Sequence, residues 1–217
     1  MKIKIAPSIL SSNFAELGKE IKLISESGAD YIHIDVMDGN FVPNITIGPP
    51  IIKAIKPYST LPFDVHLMVS EPEKLIDDFI DAGANIITFH IEATNNASKL
   101  IEYIKNRGVK VGISLMPKSS EKKIFPFLED IDLVLVMTVR PGFGGQMFMN
   151  SEIDKISRIR KKIDSSKHDV ILSVDGGINN ITAKLALQAG ADMLVTGSYF
   201  FKQKDFKKAV IDLKIKV

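Results

Sequence analysis

Short runs of β-branched residues alternate with longer segments of helical periodicity along this chain of 217 residues, which limits its possible folds more than any other feature. Such alternation predicts a parallel sheet whose strands are connected by helices. Neither a low-complexity linker nor a change of composition divides the chain, so residues 1–217 are predicted to form a single domain. We predict eight strands, at residues 4–9, 31–37, 63–68, 86–90, 110–115, 133–137, 170–174 and 193–196.

A repeated triplet, Gly-Ala-Asp or Gly-Ala-Asn, supports a chain built from eight similar units. It occurs at residues 28–30, 83–85 and 190–192, where a predicted helix ends and a strand begins. Glycine suits the left-handed backbone that commonly ends a helix. The glycines are 55 and then 107 residues apart, which corresponds to two and then four βα units of about 27 residues. The predicted fold is therefore an α/β protein of the (β/α)8 TIM-barrel type. An open doubly wound sheet is disfavoured because its glycine fingerprint is absent after the first strand.

The composition excludes several classes of function. The formal net charge is only +2 and the basic residues are scattered, so nucleic acid is not an expected partner. No apolar run approaches the length of a membrane span, and the first ten residues do not resemble a signal sequence, so we expect no membrane association and a cytoplasmic location. Without cysteine, any metal must be bound by His, Asp or Glu.

Polar side chains share one face of two predicted strands. The period of two in a strand places His33, Asp35 and Met37 on one side of the second strand, opposite three apolar residues. The third strand repeats this pattern with Asp64, His66 and Met68. The seventh strand ends in Asp175, which brings another acid to the same rim. We expect these polar faces to point into the barrel, where the carboxyl ends of the strands form the site.

Taken singly, each of these histidines could be a core residue with satisfied hydrogen bonds, and each aspartate could cap a helix or turn. Burying several ionisable groups together is costly without a compensating cation, so the joint pattern favours a divalent metal site. Two His and two Asp suit Zn, Fe, Mn or Co, and the residue types do not choose among these metals. His90 on the fourth strand is weaker as a candidate, either supporting the site or belonging to a polar rim.

Three glycine-containing loops predict an anion site. Residues 140–146 follow the sixth strand, Gly176 and Gly177 follow the seventh, and residues 196–198 end the eighth before a short helical segment. Glycine lets backbone N–H groups approach an anion closely, and a helix start favours negative charge. One such loop would be an ordinary turn, but three at the loops where barrels commonly bind phosphate indicate a phosphate site.

With these segments identified, the chain resembles the ribulose-phosphate 3-epimerase family almost from end to end. The strings that carry the resemblance are Ala6-Pro7-Ser8, HIDVMDGNFVPN at 33–44, DVHLM at 64–68, VMTVRPGFGGQ at 136–146, VDGGI at 174–178 and TGS at 196–198. Strings of this length in the family's order are highly specific. The resemblance implies an isomerase of the pentose phosphate pathway that inverts C3 of a ketose phosphate, most simply D-ribulose 5-phosphate to D-xylulose 5-phosphate.

The resemblance also implies roles for individual residues. His33, Asp35, His66 and Asp175 would hold one divalent metal ion, and Asp35 and Asp175 would also exchange the proton through a cis-enediolate. The residues implied to contact the substrate are Ser8, His66, Gly142, Phe143, Gly144, Gly145, Gly176, Gly177, Gly197 and Ser198. Met37, Met68 and Met137 would line the site and give it shape, as ordinary core methionines also could. We further expect a homo-oligomer.

Two positions depart from the family's pattern and leave the sugar open. Arg140 stands where an amide or an acid more often precedes the glycine loop, and Met116 occupies a rim position that is frequently Asn or Lys. D-Allulose 6-phosphate 3-epimerase is therefore an alternative. A phosphate-binding decarboxylase barrel would need a lysine at the position of Met37, which argues against that class. A noncatalytic sugar-phosphate-binding protein would have little reason to keep both carboxylates.

Overall fold

The computed structural model describes residues 3–166 and 168–214 as a barrel of parallel strands surrounded by helices. The strands form one sheet in the order β1-β8-β7-β6-β5-β4-β3-β2. Ser8 bridges His33, and the Asp30 amide donates to the Ile5 carbonyl, so the two ends of the sheet lie side by side and the barrel is nearly closed. The strands are β1 Lys4–Pro7, β2 Ile32–Met37, β3 Phe63–Met68, β4 Ile86–His90, β5 Lys110–Leu115, β6 Leu133–Met137, β7 Ile171–Asp175 and β8 Met193–Thr196. The predicted TIM-barrel fold is confirmed.

Helices connect most of the strands. They are α1 Leu17–Glu26, α2 Pro49–Ile55, α3 Ile76–Asp81, α4 Ala97–Asn106, α5 Ile153–Asp164, α6 Thr182–Gln188, α7 Ser198–Phe201 and α8 Phe206–Leu213. Between β5 and β6, where every residue is described, two short 3₁₀ turns at Glu121–Lys123 and Phe125–Phe127 take the place of an α-helix. Pro126 has no N–H group, which disfavours a continuous helix there. The expectation that each of the eight similar βα units contains a helix is corrected at this connection.

The strands begin and end within two residues of the predicted limits. The first strand ends at Pro7 instead of residue 9, because the Ser8 hydroxyl accepts the Leu10 amide and starts a 3₁₀ turn. The seventh strand is shifted by one residue, which makes Asp175 its last member and pairs it with Met137. Both differences lie at the carboxyl ends of strands, where the site is located.

Two apolar regions hold the barrel together. Outward-facing residues of the strands, such as Ile34 and Val65, pack against the helices in one continuous core. Inside the barrel, a smaller cluster that includes Leu135 and Met193 fills the side formed by β6, β8 and β1. The opposite interior side carries the buried polar residues of β2 to β4. The interior is therefore apolar on one side and ionisable on the other.

An acidic or amide side chain ties neighbouring strands at the amino-terminal end of the barrel. Asp30 accepts the Ile5 amide at 2.9 Å while its own amide donates to the Ile5 carbonyl. In the same way, Asn85 accepts the amide of Phe63, the first residue of β3, and its own amide donates to the Phe63 carbonyl. These residues end the Gly-Ala-Asp and Gly-Ala-Asn triplets, whose glycines have the expected positive φ. The triplet thus has two roles: its glycine ends a helix, and its Asp or Asn hydrogen-bonds to a neighbouring strand.

The same tie recurs twice more, so that the four ties join β1 to β2, β3 to β4, β5 to β6 and β7 to β8. Asp192 accepts the Leu172 amide, and Asp132 accepts the Val111 amide, both at 2.9 Å. Asp132 follows Ile131 instead of a Gly-Ala pair, which is why the sequence repeat did not reveal it. Arg160 also binds Asp192 at 2.9 Å.

Among the described residues, no helix is long and apolar enough to cross a membrane.

Replacing Asp132 with alanine should destabilise the fold. The change leaves the Val111 N–H, which belongs to a buried residue, without its acceptor, and an unsatisfied buried donor costs about 1–3 kcal/mol. Urea unfolding measures the loss. Asp130→Ala, two residues away and exposed, is the matched control and should change the free energy of unfolding by less than about 0.5 kcal/mol. Equal stabilities for the two variants would contradict this account.

Candidate active site

The pairing of β2 with β3 places imidazoles opposite carboxylates. His33 lies directly beside Asp64, and Asp35 lies directly beside His66. All four side chains are buried. His33 Nδ1 is 2.8 Å from Asp64 Oδ2, and His66 Nδ1 is 3.1 Å from Asp35 Oδ1. The period-two faces predicted from the sequence are thus combined into one polar cluster inside the barrel.

One ring nitrogen of His33 has no hydrogen-bond partner. A carboxylate only accepts, so the proton between His33 and Asp64 is carried on Nδ1. Nε2 then points at Asp35 Oδ1, 3.3 Å away, without making a hydrogen bond. A buried nitrogen that faces a carboxylate oxygen in this way is suited to binding a cation.

Asp175 completes a group of four possible metal ligands. One ligand atom from each of His33, Asp35, His66 and Asp175 lies within 4.8 Å of the others. The donor set has two nitrogens and two oxygens, which suits a divalent transition metal. The unpartnered Nε2 of His33 fits the same conclusion. The four residues could therefore hold one metal ion, as the resemblance implies.

The two aspartates of this cluster have opposite electrostatic environments. Burial opposes ionisation of Asp35, but the charge of the neighbouring His33 holds the pKa of Asp35 well below its usual range. Burial and the nearby charge of Asp35 raise the pKa of Asp175 to about 7. Near neutral pH, one carboxylate is therefore charged while the other carries a proton for much of the time.

The pKa values of the buried histidines are also displaced in opposite directions. Burial disfavours protonation of His33, yet the Asp35 and Asp64 carboxylates raise its pKa well above the usual value. Burial lowers the pKa of His66 to about 4, and it also lowers the pKa of His90. His90 is fully buried, with its Nε2 2.9 Å from Nε2 of His66 and its Nδ1 3.3 Å from Oε2 of Glu92. The polar cluster thus extends from β2 across β4.

A cleft opens above the cluster at the carboxyl ends of the strands. The space between its walls, including the open mouth, is about 540 Å³. Asp35 and Asp175 form part of its wall, and the Ser8 hydroxyl donates to Asp35 Oδ2 at 2.5 Å. The other predicted residues in the wall are Met37, Met68, Met137, Gly142, Phe143, Gly144, Gly145, Gly176, Gly177, Gly197 and Ser198.

Two glycines allow the loops after β6 and β7 to pack closely. Gly176 has φ +121°, and a Cβ atom there would lie 2.5 Å from Val139. Gly177 has φ +65°, and a Cβ atom there would collide with the backbone of Phe148. Neither position tolerates a larger side chain without moving its neighbour. The close approach explains why consecutive glycines follow Asp175.

Side-chain amides hold the glycine loop after β6. The Asn44 amide, from the loop after β2, donates to the Gly142 carbonyl at 2.9 Å. The Gln146 amide donates to the carbonyls of Arg140 and Phe143, both at 2.7 Å. The Arg140 side chain is exposed and is not part of the cleft wall, whereas Gly142 and Phe143 are. The loop is thus fastened at both ends.

One predicted substrate-binding residue lies outside the cleft wall, and two residues of the site were not predicted from the sequence. His66 is fully buried beneath the cleft and is not part of its wall. Ser11 lines the cleft, although no sequence pattern singled it out. The partnership of Asp64 with His33 was also missed, although Asp64 shares a strand face with His66. That shared face was the available signal.

Comparison with known proteins gives a family match over most of the chain. The model of the Ribulose-phosphate 3 epimerase family matches residues 4–201. Ribulose-phosphate 3-epimerase of Bacillus subtilis (strain 168) is 50% identical over 213 residues, covering 98% of both chains. Ribulose-phosphate 3-epimerase of Escherichia coli (strain K12) is 44% identical over 213 residues, covering 97% of this chain and 94% of the relative.

A distant structure supports the architecture alone. The crystal structure of KGPDC from Streptococcus mutans superimposes with a TM-score of 0.71 at 15% sequence identity, covering 99% of this chain and 96% of that chain. Identity this low carries the fold and not the chemistry.

Metal binding at this cluster should release protons. In the metal-free protein His33 and Asp175 hold protons at slightly acidic pH, and a metal must displace both, so affinity should rise as the pH increases from 6 to 8. Calorimetric zinc titrations in two buffers of different ionisation enthalpy should give about two released protons at pH 6. His168→Asn, which removes an exposed histidine just before the start of β7, is the control and should leave this number unchanged. Affinity independent of pH would argue against binding at this cluster.

Proposed function

The chain belongs to the ribulose-phosphate 3 epimerase family, and from this premise we propose that it interconverts D-ribulose 5-phosphate and D-xylulose 5-phosphate. It is an isomerase of the epimerase type that acts on carbohydrates. The names of both relatives described above support a five-carbon ketose phosphate as substrate. The observation that carries the proposal is a pair of aspartates in one cleft, Asp35 and Asp175, with pKa values displaced in opposite directions.

We assign His33, Asp35, His66 and Asp175 as ligands of one divalent metal ion. The proximity of their ligand atoms and the unpartnered His33 Nε2 support this assignment. When bound, the ion would act as a Lewis acid that neutralises charge developing on the substrate oxygens. Zinc, iron, manganese and cobalt all suit these ligands.

In this proposal the two aspartates exchange protons with C3 from opposite faces of the substrate. Asp35 removes the C3 proton, which leaves a cis-enediolate, and Asp175 returns its own proton to C3 from the other side. One proton leaves carbon and one arrives, so the configuration inverts with no net change in protonation. In the reverse direction the roles exchange. The raised pKa of Asp175 and the lowered pKa of Asp35 support a protonated acid beside a charged base.

The glycine loops are assigned to the phosphate group. The wall of the cleft contains no lysine or arginine among the described residues, so backbone N–H groups and hydroxyls such as that of Ser198 are the donors available to an anion. Ser8, through its bond to Asp35, would contact the reacting end of the sugar, and His66 would act from below as a ligand. Met37, Met68 and Met137 would shape the space between the two ends.

We also propose where the protein acts and how it assembles. Sugar phosphates are charged and do not pass a lipid bilayer unaided, so we propose that the enzyme acts in the cytoplasm, where such substrates are made. Cell fractionation tests this location. We retain a homo-oligomer as a proposal, which sedimentation analysis of the purified protein tests.

Replacing Asp175 with Asn should abolish epimerisation while the fold is retained. Loss of an acid–base group lowers the rate by about 10²–10⁴-fold, and loss of a metal ligand adds to that effect. A coupled assay with D-ribulose 5-phosphate measures turnover, and circular dichroism checks the fold. Asp169→Asn, which changes an exposed aspartate near the start of β7, is the control. A folded, metal-loaded Asp175→Asn variant with wild-type turnover would refute the assignment.

Deuterium exchange separates the two acids and tests for catalysis as such. In the Asp175→Asn variant, the epimer whose C3 proton faces Asp35 should still exchange with solvent deuterium faster than it epimerises, whereas the other epimer should not. Magnetic resonance of the recovered sugar phosphate measures the exchange. A wild-type protein that binds the sugar phosphate without any exchange would be a noncatalytic binder instead of an epimerase.

The length of the sugar is tested with matched substrates. We expect turnover of D-ribulose 5-phosphate to exceed that of D-allulose 6-phosphate, and D-ribulose without phosphate to show a much higher KM because the glycine loops lose their anion. Steady-state kinetics with purified protein and a defined metal provides the comparison. Preference for the six-carbon sugar would replace the pentulose assignment and leave the reaction class intact.

A further inference from the structure

A buried histidine that takes no part in the proposed reaction links the metal site to a carboxylate. His90 is fully buried and lies between His66, on the neighbouring strand, and Glu92, in the turn after β4. Its Nε2 is 2.9 Å from Nε2 of His66, and its Nδ1 is 3.3 Å from Oε2 of Glu92. The two Nε2 atoms, 2.9 Å apart, can form a hydrogen bond only if one of them carries a proton and the other accepts it.

Glu92 fixes the direction of this hydrogen-bond chain. Its Oε1 accepts the Met116 amide at 3.1 Å, and its other oxygen faces His90. A carboxylate accepts hydrogen bonds, so the proton between Glu92 and His90 is on His90 Nδ1. In a neutral imidazole the other nitrogen is then an acceptor, which means that His90 Nε2 accepts the Nε2–H of His66. His66 Nδ1 then presents a lone pair to Asp35 Oδ1, 3.1 Å away, and a cation between these two acceptors would stabilise that arrangement.

We propose that Glu92 and His90 are positioning residues that fix the tautomer of His66, so that its Nδ1 is offered to the metal ion. The inference rests on the proposed metal site and adds two residues outside its ligand set. His66 Nδ1 lies 3.1 Å from Asp35 Oδ1 and could otherwise donate a proton to that carboxylate. A proton there would occupy the position at which the ion must bind.

The surroundings preserve this arrangement. The Phe41 ring packs against the His90 ring with the two ring centroids 4.9 Å apart. His33 has the corresponding support from Asp64, which bonds its Nδ1 directly and leaves Nε2 for the ion. Each of the two imidazoles is thus oriented by a carboxylate, one directly and the other through His90. Such partners affect metal affinity by about 10–100-fold.

The wild-type protein gives the first test, which needs no variant. Two-bond proton–nitrogen spectra of ¹⁵N-histidine in the zinc-loaded protein distinguish protonated from unprotonated ring nitrogens. We expect His90 to carry its proton on Nδ1, and His66 to carry its proton on Nε2. His90 protonated on Nε2, or on both nitrogens, would overturn the proposal even if zinc is bound.

Two variants of Glu92 separate hydrogen-bond polarity from side-chain volume. In Glu92→Gln the amide oxygen must serve the Met116 N–H, so the NH₂ group faces His90 Nδ1 and reverses the chain. Glu92→Asp retains a carboxylate but is shorter. We expect Glu92→Gln to weaken zinc binding by about 10–100-fold and Glu92→Asp to weaken it less. Competition with a chromophoric chelator measures affinity, and spectra of the Glu92→Gln protein should show His66 losing its Nε2–H.

The control and the remaining outcomes keep this test distinct from that of the metal site itself. Glu71→Gln changes an exposed acid on the same rim and should leave zinc affinity at the wild-type value. Wild-type protein that binds no zinc would refute the metal site. Wild-type protein that binds zinc, with Glu92→Gln equal to it or no weaker than Glu92→Asp, would refute the positioning role alone.

Discussion

The alignment of β2 with β3 is the constraint on which the candidate site depends. It places His33 beside Asp64 and Asp35 beside His66, all inside the barrel and all buried. A shift of one residue in a strand turns every side chain to the opposite face, which here would bury charged groups in the apolar core against the helices. The apolar residues on the outer faces of these strands therefore fix the alignment on which the polar cluster relies.

The cluster is electrostatically consistent with a cation in its centre. Asp35 is held charged, Asp175 holds its proton near neutral pH, and His33 is protonated although it is buried. In the metal-free protein the proton on Asp175 removes one negative charge, and protonation of His33 adds a positive charge beside Asp35. The same atoms are the possible metal ligands, so metal and protons compete for one site. In the proposed function, this competition couples proton transfer by the aspartates to metal binding at the same atoms.

The two ends of the barrel have different physical tasks. At the amino-terminal end, four side chains satisfy strand amides and tie alternate pairs of neighbouring strands, namely Asp30, Asn85, Asp132 and Asp192. At the carboxyl end, glycines bring loop backbones close together around the cleft that contains Asp35 and Asp175. Polar side chains thus stabilise one end by completing hydrogen bonds and remain available for chemistry at the other.

The sequence alone determined the barrel, most strand limits and the membership of the polar faces, because side-chain direction follows from a local period of two. It also carried the motifs by which His33, Asp35, His66 and Asp175 were selected. Only the tertiary structure decided which groups meet: that Asp64 supports His33, that His90 joins His66 to Glu92, and that Asp132 supplies a fourth tie without the glycine triplet. Those partners are contributed by different strands, and their distances depend on the alignment and near closure of the whole ring, which no local pattern encodes.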